Sequence, residues 1–422
     1  MTFDNFAAAH HAVLWATLII AMVMGAVVNK TNFCTMGAVS DLVNIGDTGR
    51  MRAWLFAMTI AMLGAIALEA SQLVNLDVSR PPYRAASFAW IEYLIGGILF
   101  GIGMTLGSGC GNKTLIRIGG GNIKSIFVFA VIAVCAYFMV NPFPGTDKTI
   151  YSELFYRWTN VLNVTLSSKQ DLGSFANRLL PGFDVIMLRL MLGGIIGIAL
   201  LAFIFKSADF RSRFDNILGG AVVGISVIGA WYISSALVTI VAGEDKYSWT
   251  QYTGDDVWVM LETKDRPQDV AVQSFSFINP IGQVLRYGLN HFDERFLTFG
   301  VVSVFGIILG SLLWALVSRG FRFEWFASVR DFVNHLIGGV LMGVGGILAL
   351  GCTIGQAVTG ASTLALGSFI AFAGIVFGSA LTMKVQYYKM VYEGEATFTS
   401  ALVTSLVELR LLPAALRKHA RV

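Results

Sequence analysis

Three cysteines stand where an apolar run gives way to small and polar residues. They lie in Asn32-Phe33-Cys34-Thr35-Met36-Gly37, Gly109-Cys110-Gly111-Asn112-Lys113-Thr114 and Gly351-Cys352-Thr353-Ile354-Gly355-Gln356. Thiols so placed offer three chemistries. A thiolate is a nucleophile or a soft-metal ligand, two thiols can close a disulfide, and a neutral thiol is a soft, weak S–H donor matched to a large polarisable atom. There is no CxxC spacing and no Cys/His pairing, so the zinc and thioredoxin-like signatures are absent. No His or Arg adjoins the three in sequence, which weakens the case for an activated thiolate. The fourth cysteine, Cys135, lies within the apolar stretch Val131–Tyr137 and is expected to pack as a small hydrophobe.

Two of these sites close copies of one phrase. Residues 94–110 read LIGGILFGIGMTLGSGC and residues 336–352 read LIGGVLMGVGGILALGC, identical at 10 of 17 positions. The matches include Gly96/Gly338, Gly97/Gly339, Gly101/Gly343, Gly103/Gly345, Gly109/Gly351 and Cys110/Cys352. The chain has 45 glycines in 422 residues, so chance supplies a glycine match only about once in nine positions, and duplication is the better account. The Gly-xxx-Gly spacings are what close helix packing in lipid requires. Packing does not explain the flexible polar backbone after each cysteine. At membrane depth such backbone is tolerated only when buried in protein or lining a wet cavity.

The elements that hold these sites are long apolar helices. The hydrophobic fraction is 55%, the charged fraction 13% and the mean hydropathy +0.69, about half the charge of a soluble domain. The ~10-residue alternation of a membrane β-barrel does not stand out, so the fold class is an all-α polytopic membrane protein. Nine spanning helices are expected, near 11–29, 53–73, 90–108, 123–140, 185–205, 216–240, 297–318, 334–350 and 364–383. The first has no basic residue before it and no small-residue cleavage site, and reads as a retained helix. Breaks at 30–46, 110–122 and 351–362 carry the cysteines as short re-entrant half-helices. Loops 141–184 and 241–295 are soluble in character, and Phe398–Leu412 reads as an interfacial helix.

Lys and Arg set the orientation. With the N-terminus outside, the inside segments hold 18 of the 30 basic residues and the outside segments 11. Helix three then runs inward and its copy, helix eight, outward, which makes a four-plus-four inverted repeat around helix five. The units are 1–140, 141–215, 216–383 and a tail 384–422. Such repeats place a substrate site near the midplane, where interrupted helices of both halves meet. The sixth helix repeats the glycine spacing at Gly219, Gly220 and Gly224, without a cysteine.

Other motifs carry less. Gly107–Thr114 looks phosphate-binding, but Asn112 separates the glycine from Lys113-Thr114 and a membrane helix precedes it, so no ATPase is implied. Met58 and Met62 are expected to fill core, and His10, His11 and His335 to lie at the interface. Glu69 and Arg189, near outer ends of apolar runs, are expected to snorkel. Lys113, Arg117 and Lys124 fit ordinary positive-inside placement, with attraction of an anion as the alternative. No nucleic-acid partner, metal or cofactor is expected.

At its cysteine motifs the chain resembles the YeeE/YedE family of bacterial sulfur-transport membrane proteins, whose best-understood members import thiosulfate. The resemblance rests on Phe33-Cys34-Thr35-Met36-Gly37-Ala38, Gly109-Cys110-Gly111, Gly351-Cys352-Thr353-Ile354-Gly355 and the glycine repeats, and covers most of the helical portion. It implies a pseudo-symmetric bundle in the bacterial inner membrane, with no enzymatic step, in which Cys34, Cys110 and Cys352 hand thiosulfate inward by S–H···S contacts. Gly109, Gly111, Asn112, Lys113, Gly351, Thr353 and Gln356 would support them, and a cytoplasmic sulfur-carrier protein (TusA-like) would receive the sulfur. The long loops look like insertions relative to compact members and leave other sulfur or selenium species open as substrates. A membrane sulfurtransferase working through a persulfide, or a Cu(I)-type transporter, are the competing readings.

Overall fold

The computed structural model describes residues 1–262, 265–392 and 395–419, so a short piece of loop 241–295 and parts of the tail 384–422 fall outside it. Among these residues nine helices are long and apolar enough to cross a membrane. They are α1 (Phe6–Thr31), α2 (Gly49–Ala70), α3 (Trp90–Leu106), α4 (Ile123–Val140), α5 (Val185–Phe205), α6 (Phe214–Ser235), α7 (Phe299–Val317), α8 (Val329–Leu348) and α9 (Leu366–Val391). This is an all-α polytopic membrane protein, as the apolar runs implied. The ninth helix continues past its expected end at 383, and the tail helix Phe398–Glu408 packs back on it.

The helices gather into two four-helix clusters, each drawing two helices from each half of the sequence. In one, α1 packs on α6 and α7, and α2 on α6. In the other, α3 packs on α8 and α9, and α4 on α8. Helix α5 leans on α2 and turns Met187, Ile195 and Ile198 outward, as lipid contact demands of a mostly unpartnered apolar helix.

The duplicated glycines divide their work between two contacts. Gly96 and Gly103 of α3 face Gly345 and Gly338 of α8. Gly97 and Gly101 instead face Ala371 and Ile375 of α9, while their copies Gly339 and Gly343 face Val131 and Cys135 of α4. A methyl at Gly101 would overlap the backbone carbonyl of Ile375, which no side-chain rotation can relieve. Gly101→Ala is therefore expected to push α3 off α9 and sharply reduce the yield of monodisperse protein. Gly194→Ala, where an added methyl meets nothing within 4 Å, should not. Equal elution profiles for the two variants would contradict this packing.

Sheet is confined to loop pieces: Thr2–Phe3 lies parallel to Thr239–Ala242, which pairs antiparallel with Asp245–Ser248, and Ser87–Phe88 pairs with Val164–Thr165. Two expectations need correction. Loop 241–295 is not wholly a soluble excursion, because its segment Ile278–Leu289 packs on α4 and α7 inside the bundle. His10 and His335 are buried rather than interfacial: Trp249 Nε1–H donates to His10 Nδ1 at 3.2 Å, and His335 Nδ1 lies 2.8 Å from the Asp331 carbonyl. Met58 and Met62 fill core as expected.

Candidate functional site

Four short helical segments fill the seam between the clusters. Thr35–Ser40, continued by a wider turn at Asp41–Ile45, touches α2 and α9; Gly111–Gly119 touches α7 and α4; Ile354–Gly360 touches α2, α6 and α9; Ile278–Leu289 touches α4, α7 and α8. Each therefore bridges helices of both clusters. Cys34 and Cys110 are the cap residues that open the first two, and Cys352 precedes the third. All three are buried, and all four cysteines are free. Cys135 lies half-buried in α4 against Gly343, in agreement with its packing role.

The local sequence explains each break. Helix α1 ends as Asn32 takes a left-handed conformation, φ 50°, and its N–H returns to Asn29 and Val28, a residue type that tolerates that region. After α3 the chain turns through Ser108 and Gly109 at φ 59° and 152°. A side chain at Gly109 would be strained there and would also press on Lys113. After α8 the turn falls at Leu350, φ 57°, and Gln356 Nε2–H caps the Ala349 carbonyl.

The structure brings the three thiols into one region. Cys34 and Cys352 both lie within electrostatic range of Cys110. Around Cys352 the protein gathers donors: Gly355 N–H reaches Sγ at 3.4 Å, and the Phe277 and Ile354 N–H groups and the Ser276 hydroxyl also point at it. Ser276 belongs to the fourth segment, whose helix starts after Phe277 where the first starts after Cys34. That segment was missed in the sequence. Its available signal was Pro280 in the first turn of an apolar run, Phe275 to Ile281.

The remaining sequence candidates fall around the same seam. Asn112, Thr353 and Gln356 are buried. A methyl at Gly111 would meet Ile278, so that glycine sits where two segments cross, whereas one at Gly351 would meet Gly355 and Gln356 of its own turn. Lys113 lies in electrostatic range of Cys34, Cys110, Arg50 and Arg117, and its Nζ donates to Asn32 Oδ1 at 2.5 Å. Lys113 stands three residues after Cys110 in the sequence, and folding brings it into range of Cys34 as well. Lys124 is instead engaged with Asp331 at 3.2 Å. Among the described residues no three His, Cys, Asp or Glu side chains converge as a metal would require.

On the face that carries the N-terminus, a cavity of about 520 Å³ descends toward this region. Its lining includes Asp77 and Arg80 from the loop after α2, and Ser276, Asn279, Gly346 and Gly351. Gly351 and Ser276 bring this lining next to Cys352, while Lys113 has Cys34, Cys110, Arg50 and Arg117 in its range. Exposed Arg80 lines the cavity beside a fully committed set of charges.

That set corrects the expectation that Glu69 and Arg189 snorkel. Both are buried, and Arg189 holds Asp171 by two hydrogen bonds of 2.9 Å and Glu69 by one of 2.8 Å. Arg84, also buried, adds Nη2–H to Glu69 Oε2 at 3.0 Å, and its Nε–H donates to the Thr363 carbonyl at 2.8 Å. Next to it the Tyr83 hydroxyl donates to the Gly355 carbonyl at 2.9 Å. Burial alone would raise the Asp77 carboxyl, but hydrogen bonding from Lys169 and the charges of Arg189 and Arg84 hold it down at about 2. Asp171 is lowered likewise, against burial, by the Arg189 fork. The cluster thus ties the N-terminal face to the segment that follows Cys352.

Comparison with known proteins places this architecture. The sulphur transport family matches residues 30–381, and the chain belongs to that family. It is 25% identical to the thiosulfate transporter TsuA of Escherichia coli over 365 residues, covering 85% of this chain and 90% of that protein. It is 23% identical to the thiosulfate transporter TsuA of Spirochaeta thermophila over 379 residues, covering 87% of this chain and 97% of that protein.

Proposed function

We propose that this membrane protein takes up thiosulfate through the seam between its clusters, passing the ion from Cys352 to Cys110 to Cys34 without nucleotide hydrolysis. The observation that carries the reading is that two buried thiols, Cys34 and Cys352, each lie in electrostatic range of a third, Cys110, with a cavity beside Cys352 and the cation Lys113 beside the other two. The N-terminal face is the outer one in this reading, in accord with the distribution of basic residues. The helix pairing supports an inverted repeat. Exchanging α1–α4 for α6–α9 carries the contact of α1 with α7 onto that of α6 with α2, and the contact of α3 with α9 onto that of α8 with α4.

The chemistry follows from what a dianion needs. Desolvating it is costly, so donors must replace water. Yet a deep trap would stop conduction, which needs sites weak enough to leave. Thiols meet both demands for an ion with a polarisable terminal sulfur. Arg80 in the cavity lining would attract the ion, and Lys113 would draw it past Cys110. Proteoliposomes holding the pure protein should accumulate labelled thiosulfate with no ATP present, and excess sulfate, lacking the soft sulfur, should compete poorly. Sulfate competing as well as unlabelled thiosulfate would defeat the thiol reading. Mass spectrometry of the incubated protein addresses the sulfurtransferase alternative, since a relay leaves no persistent persulfide.

A further inference from the structure

Each relay cysteine is followed within two residues by a buried polar side chain whose oxygen has no hydrogen-bond partner. Thr35 Oγ1, Asn112 Oδ1 and Thr353 Oγ1 are all in this state, with the residues 0%, 2% and 0% exposed. Burying an unpaired oxygen opposes folding, and the next three hydroxyls that follow Thr353 in the chain all have partners. Thr359 donates to the Phe275 carbonyl at 2.7 Å, Ser362 to Thr359 at 2.6 Å and Thr363 to Gly360 at 2.7 Å. Other unpaired buried oxygens occur at Gln356, four residues after Cys352, and at Asn163, Gln170, Ser235 and Ser368, but each of the three relay thiols has one within two residues. The Thr353 hydroxyl is also turned toward the Cys110 thiol, which places it between the second and third cysteines of the relay.

We infer that Thr353, together with Thr35 and Asn112, forms an oxyanion-recognising set interleaved with the thiols, so that the path takes an anion carrying both a soft sulfur and hard oxygens. The inference rests on the transport reading above. A threonine hydroxyl donates to an anionic oxygen, and the Asn112 amide donates through its Nδ2–H₂ when so oriented. The thiols take the sulfur end. Sulfate would satisfy only the hydroxyls, and a bare sulfide only the thiols. An unpaired polar group at a functional position trades fold stability for binding.

The test compares two threonines on one segment. Thr353→Val removes a hydroxyl whose one protein neighbour of note is the weakly accepting Cys110 thiol, so its thermal unfolding midpoint should fall little or not at all below that of the unaltered chain. Uptake of labelled thiosulfate by proteoliposomes should fall about tenfold or more, the loss expected for a hydrogen bond to a charged group, and Thr353→Ser should restore most of it. Thr359→Val, which breaks a bond to Phe275, should lower the midpoint. Unchanged uptake by Thr353→Val, or a midpoint that falls as far as in Thr359→Val, overturns the inference and leaves the relay standing. Absence of uptake by the unaltered protein overturns the transport reading itself, and the inference with it.

Discussion

Replacing Cys110 with alanine is expected to reduce thiosulfate uptake by at least about 100-fold, equivalent to about 2.7 kcal/mol of added barrier. Cys110 is the middle member of the relay: both other thiols lie in its electrostatic range, and it caps the segment Gly111–Gly119 at the seam. A relay of shallow sites works because each hop is short, so deleting the central one merges two small barriers into a larger one. The fold should survive, since the change removes one sulfur atom and Cys110 makes no side-chain cap bond to its helix. Serine should rescue poorly, because a hydroxyl is a harder donor for a polarisable sulfur. Cys135→Ala, remote from the seam in the contact between α4 and α8, should transport normally. Labelled uptake into cells or proteoliposomes, normalised to protein in the membrane, measures all three. Near-normal uptake by Cys110→Ala would end the relay as proposed.

What the sequence revealed follows from the range of the interactions involved. Nine spans were legible because a helix in lipid must satisfy its own backbone and so shows as a continuous apolar run. The three cysteine breaks were legible because polar, glycine-bearing backbone interrupts such runs, and Gly109-Cys110-Gly111 and Gly351-Cys352-Thr353 do so at equivalent points. The fourth segment, Ile278–Leu289, was hidden because it is short, sits in a polar loop and has Phe277 and Ser276 where the others have cysteine. Nor could periodicity show that each cluster mixes helices from both halves, since nothing local to α3 specifies α9 as its neighbour. The charged cluster was hidden for the same reason. Its partners stand 15, 18 and 120 residues apart, so Glu69 and Arg189 each looked like a lone charge at a helix end.

Removing Arg189 from that cluster is expected to cost more stability than any other single change outside the helix crossings. Arg189→Leu leaves Asp171, 0% exposed, without its guanidinium partner and Glu69, 5% exposed, with Arg84 alone. Breaking a buried pair from one side destabilises by about 3–5 kcal/mol. Lysine should not substitute, because Arg189 meets both oxygens of Asp171 through Nε and Nη2 in a planar fork that a single ammonium cannot copy. Pairing Arg189→Leu with Asp171→Leu should recover part of the loss, since no bare carboxylate then remains at that position. The same cluster fixes the response to acid. Asp77 is held at about 2 and Asp171 is also lowered, both below the ordinary carboxylate value near 3.9. A carboxylate lowered by folding stabilises fully above its unfolded value and loses that contribution as pH falls toward the folded one. The unfolding midpoint in detergent should therefore change little through this cluster between pH 7 and 5 and drop between about pH 4 and 2. Arg189→Leu should begin lower and show a shallower acid drop, because its carboxylates have already lost what kept them ionised. A midpoint for Arg189→Leu equal to that of the unaltered chain would show that Arg84 and Lys169 alone hold the three acids, and that the fork contributes nothing.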